Sequence, residues 1–145
     1  MTVEPFWHIG ILVYELDAGI ERFSELLGVT FNRVAADVDV VEDGGTAGSL
    51  HLEAAFSAEG PPFYELIQAQ EGGIWGRQHG EGIHHVAVWQ PEVDRRLEEL
   101  RAKRATSEVL LRNPEGRLIA YLTPDSAHGT RIELVDARFK ADFGF

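Results

Sequence analysis

Residues 80–89, GEGIHHVAVW, decide how the chain is read. Two histidines stand side by side, and the apolar, β-branched run behind them reads as a strand. Successive residues on a strand point to opposite faces. On that spacing His85 shares a face with Ile83, Ala87 and Trp89, while His84 shares the other with Val86 and Val88. One histidine then belongs to a site and the other to packing or solvent. Parity alone does not choose between them.

A second copy of the pattern does. FWHIGILV at 6–13 also reads as a strand, and HIGILV against HVAVW aligns His8 with His85. His84 falls in the slot of Trp7, a packing position. The small residues Gly10 and Ala87 follow the two histidines at +2, leaving room on that face. After the first strand, DAGIERFSELLG reads as a helix capped by Asp17 and ended by Gly28, with Ile20, Phe23 and Leu27 on one face. VTFNRVA, SLHLEAAF and FYELIQA follow as strands, separated by turns at EDGGTAGS and SAEGPP. In the second half HHVAVW leads into the helix PEVDRRLEELRAKR, with Pro91 at or near its first position and Val93, Leu97 and Leu100 as its buried stripe. EVLLRN, RLIAYLTP and TRIELVD are three further strands, turning at NPEG and PDSAHG. Each half is strand, helix, three strands, and internal repetition of this kind takes precedence in a fold reading. One module covers about 5–72, the other about 80–137, and 138–145 form a tail.

At 145 residues the chain fits one domain whose halves share a core. A formal net charge of −11 argues against nucleic acid and against an anionic membrane surface as partners. With no cysteine there is neither a disulfide framework nor thiolate chemistry, and a cytoplasmic protein is expected. MTVEPFWHIGILVYELD carries acid where a secretion signal carries base, and its apolar stretch is too short to span a bilayer.

The chemistry lies in a second repeated feature. Glu65 sits in YELI and Glu133 in IELV, 57 and 48 residues beyond their histidines, which fits a longer loop in the first half. A glutamate buried unpaired in a strand costs on the order of several kcal/mol. A bound divalent cation explains both at once. His8, Glu65, His85 and Glu133 offer two imidazoles and two carboxylates, a set suited to Zn, Co, Ni, Mn or Fe(II) and unsuited to Cu(I). Four protein ligands on an octahedral ion leave two adjacent positions for a substrate with neighbouring oxygens, whose enolate a Lewis acid stabilises.

HIGILV with its helix, YELIQ, GEGIHHVAVW and RLIAYLTPDSAHGTRIELV together resemble the vicinal oxygen chelate superfamily, from His8 to about Asp136. The likeness is nearest to its methylmalonyl-CoA epimerase and glyoxalase I branch. It implies an α+β fold of two tandem βαβββ modules whose mixed sheet curls around a metal-binding cleft. The metal ligands would be His8, Glu65, His85 and Glu133. In epimerases the general base comes from a strand that SLHLEAAF resembles. His51 and Glu53 on one face of it are candidate bases, as is the ligand Glu133. His128, in the loop before the Glu133 strand, is expected to overhang the cleft. Trp89 and Phe63 are expected to line it, which favours an apolar or ring-containing substrate.

The expected function is a metal-dependent isomerase, epimerase or lyase acting on an oxygen-rich carbonyl compound. The alternatives are a ring-cleaving dioxygenase of extradiol type and a non-catalytic protein that binds an antibiotic or other small molecule. Thirteen Lys and Arg against 24 Asp and Glu count against coenzyme A or glutathione as the substrate's carrier. A homodimer is expected, as is common in this superfamily. Phe139, Phe143 and Phe145 of the tail would pack on a partner or fold back on their own domain.

Overall fold

The computed structural model describes residues 5–145, so the first four residues of the N-terminal stretch lie outside the description. The chain runs β1 (His8–Val13), α1 (Leu16–Leu27), β2 (Phe31–Glu42), β3 (Gly45–Ser57), β4 (Phe63–Gln68), β5 (Gly82–Gln90), α2 (Val93–Ala102), β6 (Ser107–Arg112), β7 (Leu118–Leu122) and β8 (Ile132–Asp136). The eight strands close into a barrel in the order β1-β4-β3-β2-β6-β7-β8-β5. Within each half the first and last strands pair in parallel, β1 with β4 and β5 with β8. The halves join where β1 meets β5 antiparallel, and again through a two-residue contact of β2 with β6.

The faces follow from sequence alternation. Ile11, Val13, Leu66 and Ala55 point outward and are covered by Leu16, Ile20 and Phe23 of α1. Leu118, Ala120, Leu122 and Leu134 point outward beneath Val93 and Leu97 of α2. The opposite parity lines the barrel: Leu12, Val38, Ala54, Ile67, Leu111 and Tyr121 pack there around Trp75. No helix among the described residues is long and apolar enough to cross a membrane.

Three local details differ from the sequence reading. Asp17 lies in the first turn of α1 and does not cap it; the Leu16 N–H is satisfied by the Gln68 side chain of β4 at 2.7 Å. Leu27 is exposed, and Leu16 takes its place in the buried face. EDGGTAGS is not all turn. Only Asp43 and Gly44 turn, both with positive φ (50° and 79°), as a two-residue hairpin loop requires, and TAGS already belongs to β3. Gly28 does end α1, in the left-handed conformation with its N–H on the Ser24 carbonyl.

The tail folds back on its own domain. Residues Ala137–Phe143 form a short 3-10 turn, and the Phe143 ring packs 4.6 Å from Trp7 and 4.9 Å from Phe56. Phe145 reaches Trp89 at 5.3 Å.

Candidate metal centre

Register alone assembles the centre. Gly10 of β1 stands opposite Glu65 on one side and His85 on the other. Ala87 of β5 stands opposite His8 and Glu133. Residues paired across neighbouring strands share a face, so His8, Glu65, His85 and Glu133 all line the barrel. They are buried, and one donor atom of each lies within 4.8 Å of the other three.

The two histidine Nε2 atoms are 3.0 Å apart. His8 Nε2 is 3.4 Å from Glu65 Oε1 and 3.5 Å from Glu133 Oε2. His85 Nε2 is 3.4 Å and 2.6 Å from the same two oxygens. Donors bound to a common ion at 2.0–2.2 Å stand about 2.8–3.6 Å apart for right-angle or tetrahedral geometry. The pairs at 3.0–3.5 Å match that spacing, and the His85–Glu133 pair, at 2.6 Å, is closer. Among the described residues Glu65 Oε1 and Glu133 Oε2 are buried without a hydrogen bond of good geometry, and the groups facing them are the two imidazoles. Buried carboxylate oxygens aimed at one point are what a cation would satisfy.

The electrostatics agree. Burial would push His8 down, but the facing Glu65 and Glu133 carboxylates outweigh it and hold its pKa at about 9. Burial also works against a charged His85, and Glu133 again overcomes it, raising the imidazole. Glu65 and Glu133 stay below the ordinary carboxylate range despite burial, held there by the two imidazoles. Without an ion, protons on the histidines balance the carboxylates.

Gly10 has a purpose the sequence reading gave only as spare room. A Cβ at this position would lie 2.0 Å from His85 Cε1, so the His85 ring occupies the space itself. Ala87, its counterpart, is buried under Trp7 and Trp89.

Two residues outside the expected site join the centre. Strand alternation alone puts His84 on the other face. A register shift between β1 and β5 pairs Gly10 with His85 but Ile11 with Ile83, which makes His84 the extra residue of a β-bulge. The bulge turns His84 inward to 5% exposure and turns Ile83 outward to 75%. His84 Nδ1 then lies 2.8 Å from His85 Nδ1, and its Nε2 lies 2.7 Å from the Ile74 carbonyl. Burial, then the neighbouring charges of His85 and Arg131, depress its pKa to about 3. Tyr121, opposite Glu133 across β7 and β8, is the second. Its hydroxyl accepts from Trp75 Nε1 at 3.2 Å, and burial together with the Glu133 and Glu65 carboxylates keeps the phenol protonated. No histidine or glutamate repeat marks Tyr121, and only the strand register reveals it.

The remaining expected residues divide. Trp89 stacks on Trp7 at 4.0 Å, Trp7 stands edge-on to His8 at 4.1 Å, and Phe63 packs beside Trp7, so these rings wall the centre on the His8 side. His51 and Glu53 lie elsewhere. Phe56 of β3 pairs with Glu65, so Ala54, Leu52 and Leu50 share the lining face and His51 and Glu53 point outward. Both are exposed, and His51 is held between Asp37 at 2.6 Å and Glu53 at 2.7 Å. His128 is exposed, in left-handed backbone at the end of the short 3-10 turn Pro124–Ala127, and the structure does not bring it to the four.

Solved structures with this architecture include methylmalonyl-CoA epimerases. A variant of the Streptomyces coelicolor enzyme, in complex with 2-nitronate-propionyl-CoA, is 25% identical with a TM-score of 0.69, over 94% of this chain and 96% of that one. A methylmalonyl-CoA epimerase in complex with methylmalonyl-CoA and NH4+ is also 25% identical, with a TM-score of 0.66 over 94% of this chain and 96% of that one. The Mycobacterium tuberculosis enzyme shares the fold at 22% identity, with a TM-score of 0.61 over 97% of each chain. A comparison with curated protein sequences finds no match. The family model for the glyoxalase/bleomycin resistance protein/dioxygenase superfamily, the vicinal oxygen chelate group, matches residues 7–121, and the chain belongs to that superfamily.

Proposed function

We propose that the protein is a divalent-metal-dependent isomerase or epimerase that chelates a carbonyl substrate through two neighbouring oxygens and moves a proton at the adjacent carbon. The observation that carries this reading is the convergence of His8, Glu65, His85 and Glu133, one ligand from each of β1, β4, β5 and β8, on a single buried point. A bound divalent ion would act there as a Lewis acid, polarising the substrate carbonyl. The two halves, each supplying one histidine and one glutamate from a parallel strand pair, read as repeated modules.

The proton carrier is best sought among the carboxylates lining the barrel. With His51 and Glu53 facing outward, Glu133 beside the protonated Tyr121 is the stronger candidate. The lining of β3 toward the centre is Leu50, Leu52 and Ala54, which offers no ionisable group. Trp7, Trp89, Phe56 and Phe63 form an aromatic wall, which suits an apolar or ring-bearing acyl group. That Glu65 converges with the other three counts against the dioxygenase alternative, which needs a centre of only two histidines and one glutamate.

The test is metal content on untagged protein beside the His85→Ala variant, followed by hydrogen–deuterium exchange at the α-carbon of 2-oxo, 2-hydroxy and thioester compounds. The reading requires about one divalent ion per chain, lost in the variant, and metal-dependent exchange. Protein with no metal and no affinity for added Co²⁺ or Zn²⁺ would refute it.

A further inference from the structure

The bulge at His84 places a second imidazole directly behind the first, and its hydrogen bonds have only one consistent assignment. The Ile74 carbonyl can only accept, so the hydrogen of a neutral His84 sits on Nε2, 2.7 Å away. Its Nδ1 is then an acceptor, and the donor facing it among the described residues is His85 Nδ1, at 2.8 Å. His85 therefore carries a hydrogen on Nδ1, which leaves the Nε2 lone pair for the centre. With the hydrogen of His84 on Nδ1, two acceptors would face each other across 2.7 Å and the anchor to Ile74 would be lost. Metal-bound histidines commonly donate their second N–H to a carbonyl or carboxylate, which fixes tautomer and ring angle. In this chain that partner is another histidine, which is in turn oriented by a backbone carbonyl of the loop between the halves.

We propose that His84 is a positioning residue that sets the tautomer and ring orientation of His85, with Ile74 as its anchor. The proposal rests on the reading of the four-residue cluster as a metal centre. It extends that reading to a residue that neither the repeat nor the ligand set includes. The same loop reaches the other second-half ligand: Trp75 donates to Tyr121, which lies against Glu133. Consecutive residues of the loop thus brace both ligands of the second half.

Two variants separate positioning from mere packing. His84→Phe keeps a ring in the bulge but offers no acceptor. His84→Asn gives up the ring but keeps an acceptor oxygen near the Nδ1 position. The readouts are Co²⁺ affinity by competition with a chromogenic chelator, thermal unfolding of both variants, and long-range nitrogen–hydrogen NMR of the imidazoles in metal-free protein. Loss of such a supporting partner costs about 10–100-fold in metal affinity, so His84→Phe should bind Co²⁺ that much more weakly. His84→Asn should recover most of the loss. In the parent, the spectrum should show hydrogen on Nε2 and none on Nδ1 of His84.

Undiminished Co²⁺ binding by a folded His84→Phe would overturn the proposal, as would an Asn variant no better than Phe, or a hydrogen on His84 Nδ1. Should His84→Phe fail to fold, the parent spectrum and the Asn variant decide. Should the parent itself bind no Co²⁺, the proposed function falls, while the spectrum still decides whether His84 sets the His85 tautomer.

Discussion

The two halves supply equivalent ligands but support them differently. In the second half, His85 is backed by His84 and the Ile74 carbonyl, and Glu133 has Tyr121 beside it. In the first half, His8 Nδ1 is buried with no hydrogen-bond partner among the described residues, and its ring meets Trp7 and Phe56 edge to face. Register explains the likeness, because a parallel first-and-last strand pair delivers one histidine and one glutamate to the same face in each half. Loops and bulges explain the difference. The loop between the halves can brace only the ligands it reaches, and the bulge lies only in β5. A repeat can therefore keep its ligand positions while its supporting interactions diverge.

The largest expected effect tests whether that support matters energetically. His8→Ala and His85→Ala each remove a ligand, and each should weaken Co²⁺ binding by more than the roughly 100-fold that loss of a supporting partner costs. The braced histidine is preorganised, so His85→Ala should cost more than His8→Ala. Chelator competition on both variants measures this. Equal losses, or the reverse order, would mean that the hydrogen-bonded relay adds nothing to the centre.

Next come the two small residues. Gly10→Ala drives a methyl into the His85 ring, and overpacking of this kind costs about 1–3 kcal/mol. Because the ring must shift, metal affinity should fall as well. Ala87→Gly, at the matching position, removes a buried methyl and loosens a strand, for about 1–2 kcal/mol. It should leave Co²⁺ affinity nearly intact. Denaturant unfolding together with metal titration distinguishes the two. A Gly10→Ala variant with normal affinity would show that the ring relaxes at no cost.

Acidity offers a smaller effect with a definite sign. The His8 pKa is raised in the folded chain to about 9. Its contribution to metal-free stability is therefore complete below about pH 6.5 and fades as the pH rises through 9. Glu65 and Glu133 are lowered, so their contribution is present above the ordinary glutamate range and fades on acidification below it. Calorimetry of chelator-treated protein should show its highest stability between those limits, with a decline from neutral to alkaline pH. With Co²⁺ present the alkaline decline should disappear, because the ion takes the place of the protons. A metal-free stability that rises toward pH 9 would contradict the protonated cluster.

Much of this was legible in the sequence because strand parity and internal repetition are strong signals. The four cluster residues, the two helices and the succession of strand, helix and three strands along each half all follow from them. What escaped was local. A bulge breaks parity at one residue, so a strict alternation put His84 on the wrong face and Ile83 on the lining. Tyr121 sits among apolar neighbours in LIAYL and looks like core until its pairing with Glu133 is known. The β3 strand shows the opposite failure. Parity correctly separated Leu50 and Leu52 from His51 and Glu53, but a resemblance chose the polar face as the one toward the site. The apolar face was the one to turn inward, since the lining of β2 and β3 is hydrophobic apart from the centre.

That choice yields the smallest expected effect and the cleanest one. His51 is bound on both sides by carboxylates, Asp37 and Glu53, which raise its pKa, yet all three groups lie on an exposed surface. Exposed ion pairs contribute little to stability. From the outer face His51 has no path to a substrate held inside the barrel. His51→Ala and Glu53→Gln should therefore each leave stability close to that of the parent, and leave Co²⁺ affinity unchanged. Any α-proton exchange found for the parent should persist in both at the parental rate. If exchange instead fell tenfold or more in His51→Ala while metal binding held, proton transfer would have to run through the outer face of β3, and Glu133 would lose its claim as the base.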